Sequence, residues 1–172
     1  MNYAIFDPKV ERPLHELPRP EARAAYDWFM KSIPVRVEEL KSLVARDGVH
    51  LNGTPSCLIA LDEWLFAQLQ ESYLQGMTEP SPFFYSLSND IGMYLGESLI
   101  ADSSNLRWEF YLKGKKALSY QRPVIMGFKV KNQNYNVDFD DAICRYLHRV
   151  LRTGEWEGHF LSNMYEQAKK KT

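Results

Sequence analysis

The sequence predicts an α+β fold, a small antiparallel sheet packed against several helices, and three observations predict it. Apolar residues recur three and four apart through most of the chain before Leu106, the period of a helix with one buried face. After Asp102-Ser103-Ser104-Asn105 the period drops to two: Trp108, Phe110 and Leu112 alternate with Arg107, Glu109 and Tyr111. Helical spacing returns at Asp138 and continues towards the C-terminus. Helices, a meander and helices again is the order of an α+β domain rather than of alternating βαβ units. The 172 residues, 45% hydrophobic and 25% charged, suit a single domain that buries a sizeable core.

Residues 1–20 hold four of the nine prolines and read as an extended N-terminal arm. Glu21 to Ser32 reads as a first helix with Tyr26, Phe29 and Met30 on one side. Pro34 breaks that run, and Val35 to Arg46 reads as a second helix on Val37, Leu40 and Val44. Asp47-Gly48 and Asn52-Gly53 are turn signals, and Thr54-Pro55 is a helix start, a capping hydroxyl followed by proline. Leu58, Leu61, Leu65 and Leu69 form the inner face of the third helix, ending near Gln75-Gly76, with Glu63 and Glu71 outside. Phe83 to Ala101 is the fourth. Lys113 to Lys116 is a turn, a further strand is expected from Ala117 to Tyr120, and Val124, Met126, Phe128 and Val130 alternate in another. Asp138 caps a fifth helix with Phe139, Ile143, Tyr146, Leu147 and Val150 inward and Gly154 at its end. A short last helix runs from Gly158 to the closing lysines.

The fourth helix carries an anomaly. In its interior stand two glycines, Gly92 and Gly96, and each costs about 1 kcal/mol relative to alanine. With Ser88 they make a bare stripe beside the apolar row Leu87, Ile91, Leu95 and Leu99. A bare stripe admits either a ligand or a neighbouring backbone. Close packing is the favoured reading, most simply against the sheet that follows. Asp90, Tyr94 and Glu97 share another face of the same helix. Two carboxylates seven residues apart on one helix face suit acid–base chemistry or a cation, but no further ligands stand at metal spacing. A solvated or salt-bridged acidic face, paired with Arg107 or Arg122, is the plainer expectation.

Other chemistry is sparse. Cys144 and His148, with Asp141 before them, lie on one helix, where side chains run parallel rather than converging on a thiol. His15, His50 and His159 are scattered, and no phosphate loop, nucleophile elbow or dinucleotide fingerprint occurs, so no cofactor is expected. Two cysteines are too few for a disulfide scaffold. With no signal-peptide pattern after Met1, the expectation is a reduced, cytoplasmic protein. No apolar stretch approaches the roughly 20 residues that cross a membrane, so no membrane partner is expected.

Charge is segregated. From Asp47 to Leu106 there are eight acids, Asp47, Asp62, Glu63, Glu71, Glu79, Asp90, Glu97 and Asp102, and no lysine or arginine. From Arg107 to Lys131 seven bases face Glu109 alone, although the whole chain carries a net charge of −1. The lysine turn 113–116, near Trp108, Tyr111 and Tyr120, has the ingredients of a nucleic-acid contact, but the acidic block beside it argues against that reading.

The segments "DIGMYLGESLI", "LRWEFYLKG" and "RPVIMGF", with "TPSCLIALDEWL" before them, resemble uncharacterised bacterial domains. Those domains carry a helix with Gly-x-Tyr-x-Gly-Glu, a strand with a central Trp and a Pro-Val-x-x-Gly-Phe strand. The resemblance spans Thr54 to Val130. Domains of this kind occur among immunity proteins of toxin systems, which inhibit by binding, so the resemblance implies a binding module and carries no catalytic residue. The expectation is therefore a non-catalytic protein-binding module that presents Asp62, Glu63, Glu71, Asp90 and Glu97 to a basic protein partner. A second copy of the chain stays open as a further partner. The alternative is a small metal-assisted hydrolase using Asp90 and Glu97.

Overall fold

Arg19–Ala45 forms one helix, α1, where two were expected. Pro34 withholds the N–H that would reach the carbonyl of Met30. The helix continues because its inward face is unbroken on both sides of the proline, with Phe29 and Ile33 buried before it and Arg36, Leu40 and Val44 after it. The computed structural model describes residues 3–172. The extended arm expected over residues 1–20 is therefore seen from Tyr3 onward, with Met1 and Asn2 outside the described residues. It ends at Pro18 after a single 3-10 turn, Leu14–Glu16.

The remaining helices are α2, Pro55–Leu74; α3, Pro82–Asp102; α4, Phe139–Thr153; and α5, Phe160–Lys169. Both α2 and α3 begin with proline at the first position. Thr54 marks the start of α2 as expected, but its hydroxyl donates to Asn52 Oδ1 (2.7 Å) and accepts no backbone amide of the first turn. Asp138 does cap α4, accepting from the Asp141 amide at 3.0 Å, and Gly154 closes that helix in the left-handed conformation.

The sheet is smaller than expected. It has two antiparallel strands, β1 (Arg107–Phe110) and β2 (Pro123–Met126), with Trp108 opposite Ile125. Ala117–Tyr120, read as a strand, forms turns, with the Ala117 amide bonded to the Gly114 carbonyl and the Tyr120 amide to that of Ala117. The alternation through Phe128 and Val130 stops at Met126, and only an isolated bridge from Ile125 to Val137 extends the pairing. The fold is α+β, with helices on one side of a minimal sheet.

At the centre is α3. It packs against α1 and α4, while α2 packs against α4 and α5. Ser86 to Ser88 and Asp90 to Gly96 are all buried, so α3 meets neighbours on most of its circumference. The glycine stripe explains how. A Cβ at Gly92 would lie 3.0 Å from the Asp140 amide nitrogen, so the backbone at the start of α4 sits against it. A Cβ at Gly96 would lie 2.3 Å from the Trp108 indole, so β1 is received through an aromatic ring rather than its backbone. Close approach was the expectation; the neighbours are a helix start and a ring.

Candidate functional site

The eight acids of the basic-free block have different fates, and burial separates them. Asp62 is 3% exposed. It stands on the inner side of α2, where its Oδ1 accepts from the Leu161 amide (2.7 Å) and its Oδ2 from the amide and hydroxyl of Ser162 (both 3.0 Å). It thus serves as the N-terminal cap of α5 from another helix, satisfying amides that would otherwise be orphaned. Burial pushes its pKa up, and those donors oppose the shift.

Asp90 is wholly enclosed, at 0% exposure. Arg36 of α1 holds it with Nε on Oδ1 (2.8 Å) and Nη2 on Oδ2 (2.6 Å). The Tyr3 hydroxyl also donates to Asp90, and it sits 2.8 Å from the Ser86 hydroxyl. Arg36 donates further to the Ala4 carbonyl (2.7 Å) and to Ser86 Oγ (3.2 Å), while the Phe6 amide donates to the same Oγ (2.7 Å). The arm, α1 and α3 are therefore pinned by one buried ionic cluster. Burial raises the Asp90 pKa and that of Tyr3. This corrects the expected acidic face: Asp62 and Asp90 belong to the interior. Asp90 is paired with neither Arg107 nor Arg122.

Glu97 is exposed and accepts from the Trp108 indole nitrogen at 2.8 Å. Asp90 and Glu97 therefore do not share a site, and with both Asp90 oxygens committed to Arg36, the pairing on which a hydrolase was imagined is not formed. Tyr94 turns elsewhere, its hydroxyl 3.4 Å from Cys57 Sγ and accepting from the Gly53 amide. Among the described residues no three His, Cys, Asp or Glu side chains gather as a metal-binding group. His148 spends both ring nitrogens away from Cys144, Nδ1 on Glu79 (2.7 Å) and Nε2 on the Tyr85 hydroxyl (3.2 Å). Near the lysine turn Tyr111 is buried and the Trp108 ring is packed on Gly96, so neither projects from the surface as a stacking platform. Arg107 pairs with Glu109, and Arg122 with Asp138 and Asp140.

Internal neutralisation, where it occurs, comes from outside the basic strands. Arg36 takes Asp90, Arg152 takes Glu79, and Lys169 takes Asp102. Among the described residues no basic side chain pairs with Glu63 or Glu71, both exposed on α2. Their surroundings were not legible in advance. Ile59, Glu63, Phe66, Gln70 and Leu74 follow one outward row at spacings of four, three, four and four residues, with Tyr73 and Glu71 on its two borders. Leu74 is 77% exposed, and Ile59 and Tyr73 are also open to solvent. The loop after α4 adds Trp156, whose ring stacks on Phe66 with centroids 4.4 Å apart and a 14° tilt while staying 40% exposed. Gly154 permits this loop to come close, since a Cβ there would lie 2.8 Å from the Tyr73 ring. Exposed Glu155 enlarges the acidic border. The result is an aromatic and aliphatic strip edged by carboxylates, with no lysine or arginine contributed by α2.

No family model, curated protein or solved structure matches the chain. No helix among the described residues is long and apolar enough to cross a membrane.

Proposed function

We propose that this protein is a non-catalytic binding module of the immunity type, which inhibits a basic protein partner by docking it on the outer face of α2. The observation that carries this reading is the pair Glu63 and Glu71, uncompensated on a helix whose outward row offers exposed Ile59 and Leu74 and half-buried Phe66, on which the loop residue Trp156 stacks. Exposed aromatics supply apolar contact area, and interface cores are enriched in Trp and Tyr. Carboxylates around them attract a basic surface and raise its encounter rate by roughly 10- to 1,000-fold at low salt. Glu97 lies on α3, outside this row, so it adds only long-range charge.

The test starts with capture on the immobilised protein from lysate of its source, in parallel with a Glu63→Lys, Glu71→Lys, Trp156→Ala variant. The reading requires one identified basic protein that binds wild type, is lost on the variant, and associates more slowly as salt rises. Its activity should be suppressed when wild type is co-expressed and restored with the variant. A captured protein indifferent to the three substitutions would refute the docking face. A captured protein whose activity is unchanged by binding would refute the inhibitory role.

A further inference from the structure

A cavity of about 200 Å³ lies between the N-terminal arm, α1, α3 and the sheet, away from the α2 face. Its walls are largely apolar, built from Phe6, Val10, Leu14, Phe29, Trp108 and Phe139. Gly92 borders it, so the bare stripe of α3 also keeps this space open.

Four charged side chains line the same cavity: Arg12, Arg122, Asp138 and Asp140. Arg122 donates from Nε to Asp138 Oδ2 (2.5 Å) and from Nη2 to Asp140 Oδ2 (2.8 Å). Among the described residues its Nη1 has no protein acceptor, and Arg12 at the exposed rim has none for any of its donors. Asp140 Oδ1 accepts from the Ser88 hydroxyl at 2.7 Å, and each Asp140 oxygen retains a lone pair for another donor. The formal charges of the four cancel. A lone anion would meet the arginines and be repelled by the aspartates; a lone cation would meet the reverse. A molecule carrying both charges satisfies both sets.

We propose that this cavity binds a small zwitterion with an apolar body, the chemistry of a free aromatic or branched amino acid. Its carboxylate would sit on Arg12 and Arg122 Nη1, where guanidinium donors suit a carboxylate. Its ammonium would face Asp140, and its side chain the ring-lined wall.

The probes are L-phenylalanine and L-leucine, with 3-phenylpropionate lacking the ammonium and phenethylamine lacking the carboxylate. Binding is read from the Trp108 indole resonance in nitrogen-edited NMR and from the rise in melting temperature that any ligand of the native state produces. The expected result is a saturable Trp108 shift with at least one amino acid, and both single-charge analogues weaker by about tenfold or more, the value of one charge-assisted contact. Arg12→Gln should weaken the amino acid about tenfold and leave the unliganded melting temperature unchanged, since Arg12 has no protein partner to lose. An analogue binding as tightly as phenylalanine would overturn the assignment. So would binding indifferent to Arg12→Gln, or the absence of a saturable Trp108 shift at millimolar concentrations of both amino acids.

Discussion

Replacing Asp90 by Asn tests the buried ionic cluster directly. Arg36 is 6% exposed and Asp90 0%, so the asparagine would leave a guanidinium charge without a counter-charge in a site water cannot reach. The amide keeps one acceptor for Nε or Nη2 of Arg36, but its NH2 group confronts the other Arg36 donor in either orientation, and the Tyr3 hydroxyl as well when it takes the place of Oδ2. Removing one member of a buried pair in this way costs about 3–5 kcal/mol. In a chain of this size each kcal/mol lowers the melting temperature by about 2–4 °C, so a fall of about 6–20 °C is expected. Urea titration is the assay, because a shifted midpoint with an unchanged slope isolates stability from denatured-state effects. The double replacement Arg36→Met, Asp90→Leu should recover much of the loss, since the isolated charge is then gone. It should not recover all of it, because the Ala4 carbonyl and the Ser86 hydroxyl lose donors. Were Asp90→Asn to stay within about 0.5 kcal/mol of wild type, as surface substitutions do, the lock between arm, α1 and α3 would not be what holds them.

Three further outcomes follow from the same structure. Gly96→Ala should destabilise by about 1–3 kcal/mol although alanine is the better helix former, because its Cβ lands on an indole tethered to Glu97; a stabilised variant in the same urea assay would contradict the seam. Lys169 holds the Asp102 carboxyl below its ordinary 3.8, so the contact contributes stability above that value and loses it as pH falls through the depressed one. Both side chains are nearly half exposed, so Asp102→Asn should cost only about 0.2–1 kcal/mol near neutral pH and converge with wild type in strong acid; a gap that persists there would refute the ion pair as its source. Burial, with Asp140 adding to it, pushes the Cys144 thiol up to about 11. Its alkylation by iodoacetamide should therefore run about a hundredfold slower than a free thiol near neutral pH, and a rate that levels off at pH 9 would be inconsistent with that environment.

Local pattern made much of this molecule legible. The inner rows of α2 and α4, the Asp138 cap, the Gly154 stop and the change of period at Leu106 are written in neighbouring residues, because capping and amphipathic burial act within a few positions. The glycine stripe announced a close approach for the same reason. What approaches could not be read there, since Asp140 and the Trp108 ring reach α3 through the tertiary fold. Charge followed the same division. The sequence showed that sixty residues lack a lysine or arginine, yet a carboxylate on a helix looks the same whether it faces water or the interior. Asp90 was committed to the core by Arg36, 54 positions earlier, and Asp62 by the α5 amides about 100 positions later. Pro34, a breaker by local rule, was overruled because the inward face of α1 stays buried on both sides of it. Composition and period determined the helices, the strand region and the acidic excess by themselves. Only the tertiary structure decided which acids remain outside, because desolvation and pairing depend on which surfaces meet rather than on what stands next in the chain.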